Sequence, residues 1–420
     1  MIKTIAIEPG VVLRCFPDRR FKQGSLSVQF VRPMGQEAAL NALLPAVLLR
    51  GTKHCPDMRQ IIYRLDDLYG AAVGALVRRV GDYQTTGFSC SFIDDRFALE
   101  GETVLAPMMA FLREILLEPA LQDGIFREDY VESEKENLIL TIEAQRNDKR
   151  AYAGSQLLKH MCKGDPFGVP RLGEPEQVEQ VDARKLYDHY RRVLTESPVE
   201  IFYTGSAEPE EMAKLLQPLF AGISRNPIAL PDQTPLRSVP GGEHTEQMEV
   251  TQGKLAMGFV TPITVTDPRF PAMQVLNTLY GSGMVSKLFM KVREQMSLCY
   301  DIGSSYYSAK GIMTVAAGID FDKEVQVRQE ILAQLNACMK GEITEQELQA
   351  AKESVISGLR AVHDSPGSIE GYYAIAALSG LSITPEAYIR QVEQVTRCQV
   401  AGAAATLRLH TVYFLRGVQE

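Results

Sequence analysis

Apolar and polar positions alternate along this chain with two periods in turn, a repeat of two and a repeat of three to four. That alternation reads as strands and helices following one another. Residues 4–7 and 11–15 alternate around the Pro9-Gly10 turn, and a second turn from Asp18 to Gly24 leads into Leu26-Ser-Val-Gln-Phe-Val31. These three segments predict a strand meander. From Leu40 the period lengthens, with Leu40, Leu43, Leu44, Val47 and Leu48 on one side of a helix that ends near Gly51-Thr52. Pro45 lies inside it, where a proline removes one backbone hydrogen bond. Further on the pattern predicts a helix over 57–68, strands over 72–80 and 83–93, and helices over 103–117, 126–146 and 151–162. A Gly/Pro-rich loop over 164–175, a helix over 182–192 and a strand at 199–203 complete this half. Later, Gly281-Ser-Gly283 opens a short amphipathic helix with Val285, Leu288, Phe289, Val292 and Met296 on one apolar face. The chain then turns extended at Leu298-Cys299-Tyr300.

Residues 222–248 carry Pro227, Pro231, Pro235, Pro240 and Gly241-Gly242 with little apolar periodicity, the composition of a linker. It separates a first domain, 1–221, from a second, 249–420. The halves repeat one another. Gln177-Val-Glu-Gln-Val181 recurs as Gln391-Val-Glu-Gln-Val395, and each copy leads through a helix into an apolar strand, Ile201-Phe202-Tyr203 or Val412-Tyr413-Phe414. Glu134-Lys135-Glu136 precedes the first copy by about as much as Ala351-Lys352-Glu353 precedes the second. A period of domain size excludes a short-repeat solenoid. Two tandem homologous α+β domains are expected, each a mostly antiparallel sheet with helices packed on one face.

Bulk composition narrows the function classes. With 420 residues, 45% of them hydrophobic and 23% charged, the chain has the make-up of a folded protein with more than one core. A net charge of −8 without any Lys/Arg run argues against nucleic acid as a partner. No apolar run approaches the roughly 18 residues that span a bilayer. The opening residues lack the apolar core of a signal peptide. Seven scattered cysteines without a C-x-x-C pair fit reduced thiols, so a cytoplasmic location is expected.

Chemistry is sparse. The histidines are His54, His160, His189, His244, His363 and His410, no two at i, i+4, so the usual helical metal-ligand pair is missing. His160-Met-Cys162 holds two ligand types too close along a helix to face one point. No spacing couples Cys162 to a general base. Arg293 and Tyr300, seven apart, offer a fork of five donors and one hydroxyl, which suits peptide carbonyls or a carboxylate.

The tandem α+β halves, the Gly-Ser-Gly turn and R-E-x-x-x-L-x-Y over 293–300 resemble the pitrilysin/insulinase-like peptidases, the inverted zincins that include the mitochondrial processing peptidases. The resemblance covers nearly the whole chain and implies a clamshell of two domains. Active members carry H-x-x-E-H before a Gly-Thr, two histidines holding zinc and the glutamate activating its water. Counted back from Gly51-Thr52, those positions here are Ala42-Leu43-Leu44-Pro45-Ala46. Alanine replaces both ligands and proline the base. The family's later acid pair matches Glu136 and Glu143, which a seven-residue spacing puts on one helix face as relics. The match over 80–130 requires an insertion.

What this sequence keeps is the second-domain pair. The resemblance implies that Arg293 and Tyr300 bind substrate backbone. Some bacterial members divide zinc motif and Arg/Tyr pair between two chains, and this sequence is similar to the second kind. The expectation is a non-catalytic, substrate-binding subunit of a two-chain zinc peptidase acting on peptides or small unfolded proteins. It would hold no cofactor itself, zinc residing in a homologous H-x-x-E-H partner. Asn147-Asp-Lys-Arg-Ala-Tyr-Ala153, and the stretch from His160 to Pro166-Phe-Gly168, further resemble a cytoplasmic Firmicute-type subset named for an association with elongation factor P modification. The alternative is therefore a peptide-binding scaffold without a peptidase role, linked to that modification. A lone enzyme with an unrecognised site has no residue to point to.

Overall fold

The computed structural model describes residues 2–236 and 240–418. The chain begins with β1 (Lys3–Glu8), β2 (Val11–Pro17), β3 (Gln23–Pro33), α1 (Ala38–Leu48), α2 (Met58–Asp66), β4 (Ala72–Val80) and β5 (Tyr83–Ile93). It continues through α3 (Leu105–Leu117), the short ladder of β6 (Leu121–Gln122) and β7 (Ile125–Phe126), α4 (Glu128–Ala144) and α5 (Lys149–Met161). Then come α6 (Pro175–Glu179), α7 (Ala183–Glu196), β8 (Val199–Gly205) and α8 (Pro209–Leu216). The second half runs β9 (Glu243–Met248), β10 (Gly253–Val260), α9 (Phe270–Asn277), β11 (Asp301–Tyr307), β12 (Ile312–Ile319), α10 (Glu324–Met339) and α11 (Glu345–Arg360). It ends with α12 (Pro366–Ser379), α13 (Pro385–Glu393), α14 (Arg397–Ala404) and β13 (Arg408–Gly417).

The residues gather into two compact units that are not contiguous in sequence. One comprises Met1–Glu143, Val169–Asp232 and His363–Ile375; the other comprises Ala144–Gly168, Gln233–Val362 and Ala376–Glu420.

In the first unit the strand order is β1-β2-β8-β3-β5-β4. The expected meander is broken: β8 inserts between β2 and β3, parallel to the former and antiparallel to the latter. The reason is burial. Ile201 of β8 lies between Leu13 and Val28, and all three are shielded from solvent. A strand this apolar is stable only with a neighbour on each edge and cover on its face. Leu43, Leu44 and Val47 of α1, Met108 and Leu112 of α3, and Leu186 and Val193 of α7 pack on that face.

The second unit repeats the plan, with order β11-β12-β10-β13-β9 and only β13 and β9 parallel. Strand for strand, β10 takes the place of β3, β11 of β4, β12 of β5, β13 of β8 and β9 of β2. The linker expected over 222–248 ends earlier than its composition suggests. Its last six residues form β9, whose backbone pairs with β13, and residues 237–239 of that range lie outside the described residues.

Each sheet carries on its opposite face a helix from the other half of the chain. In the second unit, Tyr152, Ala153 and Leu157 of α5 pack on Ala256, Tyr413 and Leu415. Gly258 lets α5 approach, since an added Cβ would stand 2.6 Å from the Met161 sulfur. In the first unit, residues 363–375 play this part. Glu370 of α12 is buried there, accepting hydrogen bonds from Ser27 at 3.0 Å, Gln29 at 2.7 Å and the Arg78 guanidinium at 2.7 Å.

Candidate functional site

The stretch that carries Arg293 and Tyr300 begins where α9 widens. Thr278–Ser282 and Phe289–Gln295 are π-helical, with i→i+5 bonds such as Gly283 N–H to Thr278 O at 3.2 Å. The amphipathic helix expected here is therefore altered. Leu288 and Val292 are buried, but Val285 sits in the turn before the helix and is 61% exposed. A wider turn changes the phase of the inward face, so the single 3.6-residue stripe does not run the full length. Ser297, at φ 51°, then reverses the chain, and Tyr300 N–H donates to Gly318 O at 2.9 Å on the way into β11. Tyr69 at φ 62° makes the matching reversal between α2 and β4.

Arg293 is exposed, its guanidinium 4.7 Å from the Phe289 ring centroid and paired with Glu294 at 3.6 Å. An exposed pair of that length adds little stability, so its donors remain open to a ligand. Tyr300 is 61% exposed and donates its hydroxyl to Asp320 Oδ1 at 2.9 Å. Lys323 holds the other oxygen, Oδ2, at 2.8 Å. Lys323 and then Tyr300 keep the Asp320 carboxyl below its ordinary range, and Asp320 in turn pushes the Tyr300 phenol up. Between them, Cys299 is pushed up to about 11 by burial and by Asp301.

The first-unit positions that the resemblance singles out have no such chemistry. Ala42 and Pro45 are buried and Ala46 is half-buried. Pro45 lines an apolar hollow with Phe30, Leu44, Leu48, Phe88 and Tyr190. None of the three side chains can donate an electron pair to a metal, so the residues present do not fit zinc. Glu136 and Glu143 both sit exposed on α4. Among the described residues no group of three or more His, Cys, Asp and Glu side chains is arranged to hold a metal ion. Among the described residues no disulfide joins any of the cysteines.

Instead, α1 is fastened by a buried polar network that local spacing did not reveal. Thr86 donates its hydroxyl to Asn41 O at 2.6 Å. The Asn41 amide donates to Gln84 Oε1 at 2.8 Å, and Gln84 in turn donates to Ala38 O and Arg171 O. That leaves Asn41 Oδ1 as the acceptor for His189 Nε2 at 2.8 Å. His189 lies 148 residues from Asn41, and no sequence signal links them. The same holds for Asp320 beside Tyr300, and for Glu370 beside Arg78. His160 and His244 do meet, but as stacked rings 3.8 Å apart.

Two domain-sized α+β repeats define the class, and comparisons with known proteins bear on it. The family model described as Peptidase M16 inactive domain matches residues 180–355. The chain is 29% identical to the Bacillus subtilis protein called "Probable inactive metalloprotease YmfF", over 98% of this chain and 96% of that one. An "Uncharacterized zinc protease" of Rickettsia bellii is 23% identical over 58% of this chain and 59% of its own. Among solved structures, a conserved protein from Enterococcus faecalis V583 superposes with a TM-score of 0.91 at 29% identity, covering 100% of this chain and 99% of that one. A peptidase M16 inactive domain from Pseudomonas fluorescens shares the fold with a TM-score of 0.82 at 17% identity, covering 100% and 98%. Over nearly its whole length the chain is thus similar to M16 metallopeptidase homologues described as inactive. Among the described residues no helix is long and apolar enough to cross a membrane.

Proposed function

We propose that this chain is the substrate-binding, non-catalytic member of a two-chain zinc peptidase that acts on peptides or small unfolded proteins in the cytoplasm. The observation that carries the reading is the contrast between its two motifs. Ala42, Pro45 and Ala46 offer neither ligand nor base, whereas Arg293 and Tyr300 stand exposed with hydrogen-bonding groups facing solvent. Zinc and the water-activating glutamate then belong to a homologous partner with an intact H-x-x-E-H. Arg293 and Tyr300 hold the peptide backbone, and the Arg293 donors, placed where charge develops, also speed hydrolysis.

The test is a tagged pull-down from the native cell at moderate salt, followed by reconstitution. Recovery of a similar-sized H-x-x-E-H chain near stoichiometry, with activity of the pair cut by Arg293→Ala or Tyr300→Phe while the chains stay together, supports the reading. Unchanged turnover in such a variant pair sinks the role of the two residues. If no H-x-x-E-H chain comes down, the peptide-binding scaffold linked to elongation factor P modification takes its place.

A further inference from the structure

Tyrosine has one hydroxyl proton, and the direction in which it points decides what the oxygen offers a ligand. Here the proton is already committed. The acceptor is Asp320 Oδ1 at 2.9 Å, while Lys323 occupies Oδ2 at 2.8 Å, so the carboxylate is held from both sides. The backbone pins each member of the set. Tyr300 N–H is bound to Gly318 O at 2.9 Å, two residues before Asp320. Lys323 N–H closes the turn onto Asp320 O at 3.1 Å. A carboxylate beside an ammonium carries no proton of its own, so Tyr300 must be the donor in this pair. With that proton committed, the oxygen has only lone pairs left to offer, on a side chain 61% exposed.

We infer that Asp320, braced by Lys323, fixes Tyr300 as a hydrogen-bond acceptor, so that the group it takes from a ligand is a donor, a peptide N–H or an ammonium. The inference rests on the reading of Tyr300 as a substrate-binding residue and states which side of the peptide bond it reads. A carbonyl would have to displace an ionised carboxylate, and bonds to charged acceptors are about twice as strong as neutral ones. An N–H displaces nothing. Arg293, which has only donors, is left to read carbonyls. Asp320 is thus a positioning residue, acting through Tyr300 and touching no ligand itself. The raised phenol and lowered carboxyl agree with this geometry.

The experiment uses the full chain and two probes, a fluorescein-labelled unstructured peptide and its backbone N-methylated copy, which keeps the carbonyls and loses the N–H donors. The wild type should bind the methylated copy at least about fivefold more weakly, the worth of one net hydrogen bond. In Tyr300→Phe and in Asp320→Ala that ratio should fall toward one, in the first by loss of the acceptor and in the second because the hydroxyl is free to donate. Ultraviolet titration of the phenol supplies a readout that a merely structural role would not move. Tyr300 should ionise at lower pH in Asp320→Ala than in the wild type. Equal wild-type binding of the two probes, with both weakened by Tyr300→Phe, overturns the inference while leaving Tyr300 a binding residue. An unchanged phenol titration in Asp320→Ala also overturns it. Failure of the wild type to bind either probe removes the reading on which it stands.

Discussion

Thr86 donates its hydroxyl to the main-chain carbonyl of Asn41 at 2.6 Å, and Asn41 is the residue whose helical partner would be the N–H of position 45. Proline at that position has no N–H. Proline at this position therefore orphans a buried carbonyl, and a threonine on β5 serves it in place of the helix.

A double-mutant cycle tests this coupling. Thr86→Val leaves the Asn41 carbonyl unpaired in a buried site, at a cost of about 1–3 kcal/mol. In a Pro45→Ala background the helix supplies its own N–H, and the same change should cost distinctly less. Urea unfolding midpoints of the four proteins measure it. Equal costs in both backgrounds would show that the two positions are independent.

His189 predicts a pH dependence. Burial, opposed by Glu37 and reinforced by Arg192 and Arg32, pushes its imidazole from 6.5 down to about 4. The folded state thus keeps it neutral where the unfolded chain protonates it. Between about 6.5 and about 4 the unfolded state binds more protons, so stability contributed by this residue is present above the window and lost as pH falls through it. His189→Asn should destabilise at pH 7.5, and the gap to wild type should narrow as the solution is acidified through the window. A gap that is constant with pH contradicts the assignment.

Glu370 ties residues 363–375 to the first sheet. Glu370→Ala strands Ser27 and Gln29, both buried, and removes the partner of a half-exposed Arg78. A loss of about 1–3 kcal/mol is expected, below the full value for a buried pair because Arg78 reaches solvent. Hydrogen exchange should quicken across 366–375 while α1 and α7 keep their protection. Glu370→Gln, which can still accept from Gln29, should fall between the variant and the wild type.

Arg293→Ala should separate binding from folding. The side chain is exposed and its carboxylate neighbour is the exposed Glu294, so stability should move by no more than about 0.5 kcal/mol. Retention of the labelled peptide should drop severalfold. A large fall in thermal midpoint would mean that the Phe289 stacking contact matters more than the ligand.

Much of the fold was legible locally. Strands expected at 72–80 and 83–93 coincide with β4 and β5, because two runs rich in strand-forming residues meet at the Gly81-Asp82 turn, which sets the boundary between them. The repeated Gln-Val-Glu-Gln-Val segments begin in α6 and α13 and lead through α7 and α14 into β8 and β13, as the sequence repeat requires. Val285 was misplaced because helical periodicity assumes one pitch, and the π-helical turns around it do not keep that pitch.

The candidate site divides in the same way. Which side chains are present is a property of the chain alone: Ala42, Pro45 and Ala46 cannot bind a metal in any fold, and Arg293 and Tyr300 carry their donors wherever they sit. Their partners are another matter. Asp320 beside Tyr300, His189 beside Asn41, Glu370 beside Arg78 and β8 between β2 and β3 are separated by 20 to 292 residues or by whole elements. Periodicity and spacing report only on neighbours within a turn or two. Long-range pairings are chosen by how buried surfaces and polar groups find mutual satisfaction, and the folded structure alone decides those.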